Sequence, residues 1–204
     1  MIQIGFGIIM KNINLVGLTG GIGCGKSTAL EAFTSLNCSV MDTDKICHEL
    51  YNEPDGPVIR AIAKKWGSRV IESSSVNRKK IAEIVFNDNK EREWLNQLIH
   101  PLIFERTYEA YKNSNSLIIF DIPLLFELNW EKYFSKTISI WTTPAIQWER
   151  LRKRNWSDKE IKARITAQMS MDEKLTKADF GIINIGNLAF LFEQCKNILL
   201  EIKR

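Results

Sequence analysis

Residues 20–27 read Gly20-Gly21-Ile22-Gly23-Cys24-Gly25-Lys26-Ser27, a match to G-x-x-x-x-G-K-[ST]. The setting makes the match specific. An apolar run, Ile13–Leu18 (INLVGL), predicts a strand just before it. The pattern from Lys26 to Leu36 predicts a helix just after it, with Ala29, Leu30, Ala32, Phe33 and Leu36 on one face. Glycines in such a turn reach positive φ and let backbone N–H groups face inward as a nest for anionic oxygens. The uncapped N–H groups and positive dipole end of the following helix strengthen that nest. Lys26 supplies a mobile cation for the β- and γ-phosphates of a nucleotide, and Thr28 a hydroxyl for the α-phosphate. Ser27 offers a hard oxygen suited to Mg²⁺. Gly20, Gly21, Ile22, Gly23, Cys24, Gly25, Lys26, Ser27 and Thr28 are therefore read as nucleotide-binding. A ligand-free Gly-rich turn would leave Lys26 and Ser27 unexplained. A helix start can lower a thiol pKa, but a small tolerated side chain is the simpler reading of Cys24.

Further strands are predicted at Cys38–Asp42, Leu117–Asp121, Thr137–Trp141 and Phe180–Asn184, with a last helix over Leu188–Ile202. Pro144 opens a helix where its missing N–H does no harm. The inner strands, four on this reading, are near-continuous apolar runs, as expected of strands buried on both faces. The expected fold is α/β: a three-layer P-loop kinase fold with a five-stranded parallel sheet and right-handed crossovers. Two excursions interrupt it. Residues 44–113 hold helices at Pro57–Trp66 (ended by Gly67), Arg78–Phe86, Asn89–Ile99 and Pro101–Lys112, too much chain for a crossover and read as a substrate-binding insertion. Residues 144–177 carry Arg150, Arg152, Lys153, Arg154, Lys159, Lys162 and Arg164; part is a solvated face, and the whole is read as a phosphate-covering lid. Segments 13–43, 114–143 and 178–204 then form the core of a single domain over 1–204.

Bulk properties narrow the classes. The chain has 204 residues, 45% hydrophobic and 25% charged, and a net charge of +4. That balance suits anionic small molecules, while no dense Lys/Arg stripe points to nucleic acid. The run RKK at 78–80 reads as a solvated helix start. The four cysteines, Cys24, Cys38, Cys47 and Cys195, form no C-x-x-C pair and read as free thiols of a reducing compartment. The apolar opening MIQIGFGIIM is far short of the ~20 residues a membrane helix needs and lacks the features of a signal peptide. It reads as an extension before the first strand, with Met10 as an alternative start. A cytoplasmic protein without membrane or nucleic-acid partners is expected, with a monomer favoured.

No N-K-x-D guanine-reading motif is present, and the chain is small for a motor or transport ATPase, so a small-molecule kinase is expected. Asp42 and Asp44, in VMDTD, lie at the end of the second strand, where ligands of open α/β sheets bind. Phosphoryl transfer to an alcohol needs a group to accept or orient the hydroxyl proton, and either carboxylate could serve. One is expected to cap the helix beginning near Lys45 and the other to act. Asp121 ends the third strand, where a Mg²⁺-bound water would sit, so Ser27 and Asp121 are the metal candidates. In Pro123-Leu-Leu-Phe-Glu127, Leu124 and Glu127 are candidates for the substrate side, although Leu124 and Leu125 could simply pack. His48 is expected at the surface.

From about residue 14 onward the chain resembles the bacterial dephospho-CoA kinases. GLTGGIGCGKST (17–28) looks like that family's GLTGGIGSGKST, and VMDTDKICHEL (40–50) is similar to its V-I-D-A-D segment. NRKKIAEIVFND (77–88), HPLI (100–103), DIPLLFE (121–127), QWERLRKR (147–154), RITAQ (164–168) and IINIGN (182–187) follow in the family's order and spacing. Departures are small: Cys24 stands where Ser or Ala is common, Thr43 where Ala or Gly is common, and the first eleven or so residues have no counterpart. The resemblance implies that ATP, with Mg²⁺, phosphorylates the ribose 3′-hydroxyl of dephospho-CoA. It implies Asp44 as base, Lys26 as the P-loop lysine, and Arg150 and Arg154 as lid arginines that meet phosphates. Taken alone, His100 before Pro101 reads as a helix-boundary residue; the resemblance sets it on the acceptor side, with Asp42 and Asp44. Another P-loop kinase, of a nucleoside or nucleotide, is the nearest alternative. An inactive nucleotide-binding module would not need Lys26, Ser27, Asp44 and Arg150 together.

Overall fold

The computed structural model describes residues 15–73, 75–111 and 116–203. The MIQIGFGIIM stretch with Met10, the start of the predicted first strand at Ile13, and Lys112 lie outside the described residues. The chain enters β1 (Leu15–Gly20), turns through the Gly-rich loop into α1 (Lys26–Ser35), and returns as β2 (Ser39–Asp42). Next come α2 (Thr43–Asn52), α3 (Pro57–Trp66), the short hairpin of β3 (Ile71–Glu72) and β4 (Ser75–Val76), α4 (Arg78–Asn87) and α5 (Asn89–Tyr111). The remainder is β5 (Ile118–Asp121), β6 (Lys136–Trp141), α6 (Pro144–Arg152), α7 (Asp158–Thr166), α8 (Met171–Lys177), β7 (Phe180–Ile183) and α9 (Leu188–Ile202).

The expected five-stranded parallel sheet is present, in the order β2-β5-β1-β6-β7. β1 runs parallel to β5, with Leu18 opposite Asp121, and parallel to β6, with Gly20 opposite Ile140. The end of β5 therefore lies beside the end of β1, where the Gly-rich loop begins. β1 reaches Gly20 rather than stopping at Leu18, because Thr19 and Gly20 still pair with Ser139 and Ile140. Three strands are interior, not four, since β2 and β7 are the edges. The edge strands are less buried: no residue of β2 is fully buried, and in β7 only Ile182 is.

Alternate strand residues feed two faces. Val16, Leu18, Ile119, Ile138, Ile140 and Ile182 pack with Ala29, Ala32 and Phe33 of α1 and with Leu191, Cys195 and Ile198 of α9. On the other face, a Cβ at Gly17 would meet Phe134 at 3.1 Å and Leu125 at 3.2 Å, so the segment after β5 lies against β1. α8 packs on β6 and β1 on that side. The result is three layers.

The chain divides into two compact units, one of described residues 15–41 and 116–203, the other beginning at Asp42 and holding α2 to α5. Within the second unit, Ile46, Leu50, Val58, Ile62, Val70, Val76 and Ile81 are buried, and Trp66 and Trp94 meet edge to face at 5.0 Å. Gly67, at φ 80°, ends α3 as expected. The two helices expected at 89–112 are one, α5, 23 residues long with Pro101 inside. Leu95, Ile99, Ile103 and Thr107 recur every fourth residue and are all buried. That continuous stripe holds the helix together across the single hydrogen bond the proline cannot donate.

Candidate active site

The loop between β1 and α1 takes the backbone shape that its glycines permit. Gly23 and Gly25 have φ of 77° and 95°, the region side chains disfavour. At Gly25 any side chain would also run into the amide nitrogen of Asn184. Cys24 N–H donates to Gly21 O at 3.2 Å, closing the turn. Gly25 sits at the N-cap of α1 with no side-chain cap, so an anion can take the first N–H groups of the helix. Lys26 and Thr28 are half-buried and Ser27 is exposed.

Side chains from distant elements hold the loop by its carbonyls. Gln147 of α6 donates to Ile22 O at 2.7 Å. The amide nitrogen of Asn184, just past β7, donates to Cys24 O at 2.8 Å, and Arg150 of α6 to the same oxygen at 3.2 Å. In a trans peptide the carbonyl and the next N–H point in opposite directions. Turning the Ile22 and Cys24 carbonyls toward these donors therefore aims the N–H groups of Gly23 and Gly25 the other way. Ile22 N–H donates to Gln168 Oε1 at 3.2 Å.

A cavity of about 360 Å³ opens along this loop. It is lined by Gly23, Gly25, Ser27, Thr28, Arg150 and Arg154, all expected, together with Lys153, Asn184, Gly186 and Leu188. The guanidinium of Arg150 is also hydrogen-bonded to Asn184 Oδ1 at 3.3 Å, so it braces the loop as well as facing the cavity. Arg154 is exposed. Other basic residues of 144–177 are engaged at the surface: Arg152 pairs with Asp158 at 3.0 Å and Lys153 with Glu149 at 2.6 Å. Arg164 lies 4.3 Å over the Trp156 ring.

Cys24 is buried, and burial pushes its thiol above the usual range despite the neighbouring Lys26. All four cysteines are free thiols.

Asp121, half-buried, ends β5 beside Leu18. Ser27 and Asp121 supply oxygen ligands only, a donor set that fits Mg²⁺ carried by nucleotide phosphates and completed by water. After Asp121 the turn 123–127 is pinned from several sides. Thr19 Oγ1 and Lys174 Nζ both donate to Pro123 O, at 3.2 and 2.6 Å. Glu127 is paired with Lys174 at 2.8 Å and accepts Met169 N–H at 2.9 Å. Glu127 is thus an anchored residue of the first unit rather than an open carboxylate. Leu125 is buried and Leu124 exposed.

Asp42, Asp44 and His100 lie in the second unit. Asp42 Oδ1 accepts Lys45 N–H at 3.0 Å and caps α2, which begins at Thr43 rather than near Lys45. Asp44 is exposed in the first turn of α2. Burial and the carboxylates of Asp44 and Asp42 push the nearby Cys47 thiol up to about 11. His100 is half-buried in the middle of α5, and His48 is exposed as expected.

Asn184, Gln147, Gln168 and Lys174 were not singled out by the sequence, although three of them lie in the quoted stretches QWERLRKR, RITAQ and IINIGN. For Lys174 a usable signal exists: Met171, Lys174, Leu175 and Ala178 share one helical face, which places the lysine among apolar neighbours.

The sequence model of the dephospho-CoA kinase family matches residues 14–189. A dephospho-CoA kinase from Lactobacillus acidophilus is 38% identical, covering 93% of this chain and 97% of its own. One from Arabidopsis thaliana is 34% identical, covering 94% and 85%. Among solved structures, dephospho-CoA kinase from Campylobacter jejuni is 30% identical with a TM-score of 0.62, covering 93% of this chain and 96% of that one. A shikimate kinase from Bacteroides thetaiotaomicron, at 16% identity and a TM-score of 0.51, shares the fold. With its Gly-rich loop, its bracing residues and this match along nearly its whole length, the chain belongs to the dephospho-CoA kinase family.

Proposed function

We propose that this chain transfers the γ-phosphoryl group of ATP to the ribose 3′-hydroxyl of dephospho-CoA, giving CoA and ADP. The observation that carries the reading is the family match over residues 14–189, which includes an intact phosphate loop with Lys26 and Ser27. ATP phosphates dock on Gly20–Thr28, with the N–H groups of Gly23 and Gly25 turned toward them. Lys26, Arg150 and Arg154 neutralise charge on the transferring group. Asp44 accepts the proton of the 3′-hydroxyl, while Asp42 caps the helix that carries Asp44. His100 and Leu124 contribute to the acceptor side. Residues 44–113 bind the acceptor and 144–177 act as the lid. Ser27 and Asp121 are the residues that would hold Mg²⁺, which supplies a Lewis acid to the phosphate oxygens when bound. Most of the acceleration comes from positioning and electrostatics. A cytoplasmic location is part of this proposal. Among the described residues no helix is long and apolar enough to cross a membrane.

ADP release measured with dephospho-CoA against a panel of nucleosides, nucleotides and shikimate tests this. Dephospho-CoA is expected to give the highest kcat/KM. A nucleoside or nucleotide turned over faster would overturn the acceptor assignment.

A further inference from the structure

Lys174 is, among the described residues, the only charged side chain that is fully buried. Lysine is almost never found so unless paired. Here its ammonium reaches from α8 to two acceptors, Pro123 O at 2.6 Å and Glu127 Oε1 at 2.8 Å. Glu127 is itself fixed by Met169 N–H, and Pro123 O also accepts from Thr19, the residue before the first glycine of the loop. One cation thus joins α8, the turn following Asp121 and the end of β1. A buried ion pair is a poor stability device, because an apolar side chain of similar volume commonly serves a core as well or better. The location suggests a different use. Burial pulls the Lys174 ammonium below the usual lysine range, and Glu127 opposes that.

We propose that Lys174 is a positioning residue of the phosphotransfer site, fixing the Pro123–Glu127 turn so that Asp121, two residues ahead of Pro123, and the start of the Gly-rich loop after Thr19 hold their places against the nucleotide phosphates. The proposal rests on the nucleotide-binding reading of residues 20–28. Lys174 touches neither substrate in this role; it acts through the turn.

Lys174→Met keeps the volume and removes the charge, leaving the half-buried Glu127 carboxylate without its cation. Lys174→Met combined with Glu127→Gln removes that imbalance. The melting temperature, kcat, KM for both substrates and the calorimetric affinity for ATP·Mg²⁺ are measured for both variants and for Glu127→Gln alone. The single lysine variant is expected to lose both stability and kcat. The double variant is expected to regain most of the lost melting temperature while kcat stays down about 100-fold, the scale of a misplaced catalytic group, with KM for dephospho-CoA little changed. Glu127→Gln alone should lose clearly less kcat than the double variant. Recovery of kcat together with stability would overturn the proposal, as would failure of both lysine variants to fold, because the lysine would then serve the fold alone. A loss in Glu127→Gln equal to that of the double variant would also overturn it, moving the effect to the carboxylate. If wild-type protein formed no CoA, the acceptor reading would fail separately. ATP affinity would then decide: weaker binding in the double variant supports the role of Lys174, and unchanged binding overturns it.

Discussion

Lys26 and Asp44 carry opposite halves of the proposed reaction, and their substitutions should fail in different ways. Lys26→Ala removes a cation that stabilises charge on the transferring phosphoryl group. It should lower kcat/KM by about 100-fold or more, measured by steady-state kinetics; an unchanged value would remove the loop from the mechanism. Asp44→Asn removes the proton acceptor and leaves the phosphate loop intact. It should lower kcat by about 100-fold or more while calorimetric ATP affinity stays near wild type; near-normal turnover would exclude Asp44 as base. The residues of the loop were legible in sequence because the chemistry demands those residue types at that spacing. Its bracing residues were not. Asn184 is 160 positions from the Cys24 carbonyl it holds, and a polar side chain has no recognisable task until the fold brings its partner within reach. Arg150 was legible as a basic residue of the 144–177 excursion, but its hydrogen bonds to Cys24 and Asn184 were not.

At the scale of elements, caps and strand ends decide more than propensity. Asp42 is the cap of α2, so Asp42→Ala should cost about 1 kcal/mol of stability, read from chemical denaturation; no change would contradict the capping assignment. At the start of β6, Thr137 donates from its amide and its hydroxyl to Asp179 Oδ2, both at 2.8 Å, and accepts Asp179 N–H at 3.0 Å. Partial burial disfavours the Asp179 carboxylate, but these hydrogen bonds and Lys136 outweigh it and hold the group below its ordinary 3.8. With the folded value below the unfolded one, the carboxylate adds stability above that ordinary value. The contribution is lost as pH falls through the folded value. Asp179→Asn should therefore destabilise the protein at pH 7 and flatten its loss of stability on acidification, compared by denaturation at the two ends. An acid limb as steep as wild type would contradict this. Sequence patterns located these strands and most helices correctly. They divided α5 at Pro101, because a proline is visible locally and the buried stripe of Leu95, Ile99 and Ile103 that outweighs it is a tertiary property.

For the molecule as a whole, the alternation of strands and helices fixed the class, and ordered motifs from residue 14 onward fixed the family. The sheet order could not be read from any single strand, since which strands pair is a property of the whole sheet. The compact unit beginning at Asp42 answers to the helical excursion in sequence, and its proposed role as the acceptor-binding part depends on the reaction itself. That reaction is tested most directly by incubating the protein with ATP, Mg²⁺ and dephospho-CoA and identifying the products by chromatography and phosphorus NMR. CoA bearing a new ribose 3′-phosphate is expected, formed in one-to-one amount with ADP and lost in Lys26→Ala. ADP released without CoA, or CoA formed equally well by Lys26→Ala, would contradict the proposed reaction.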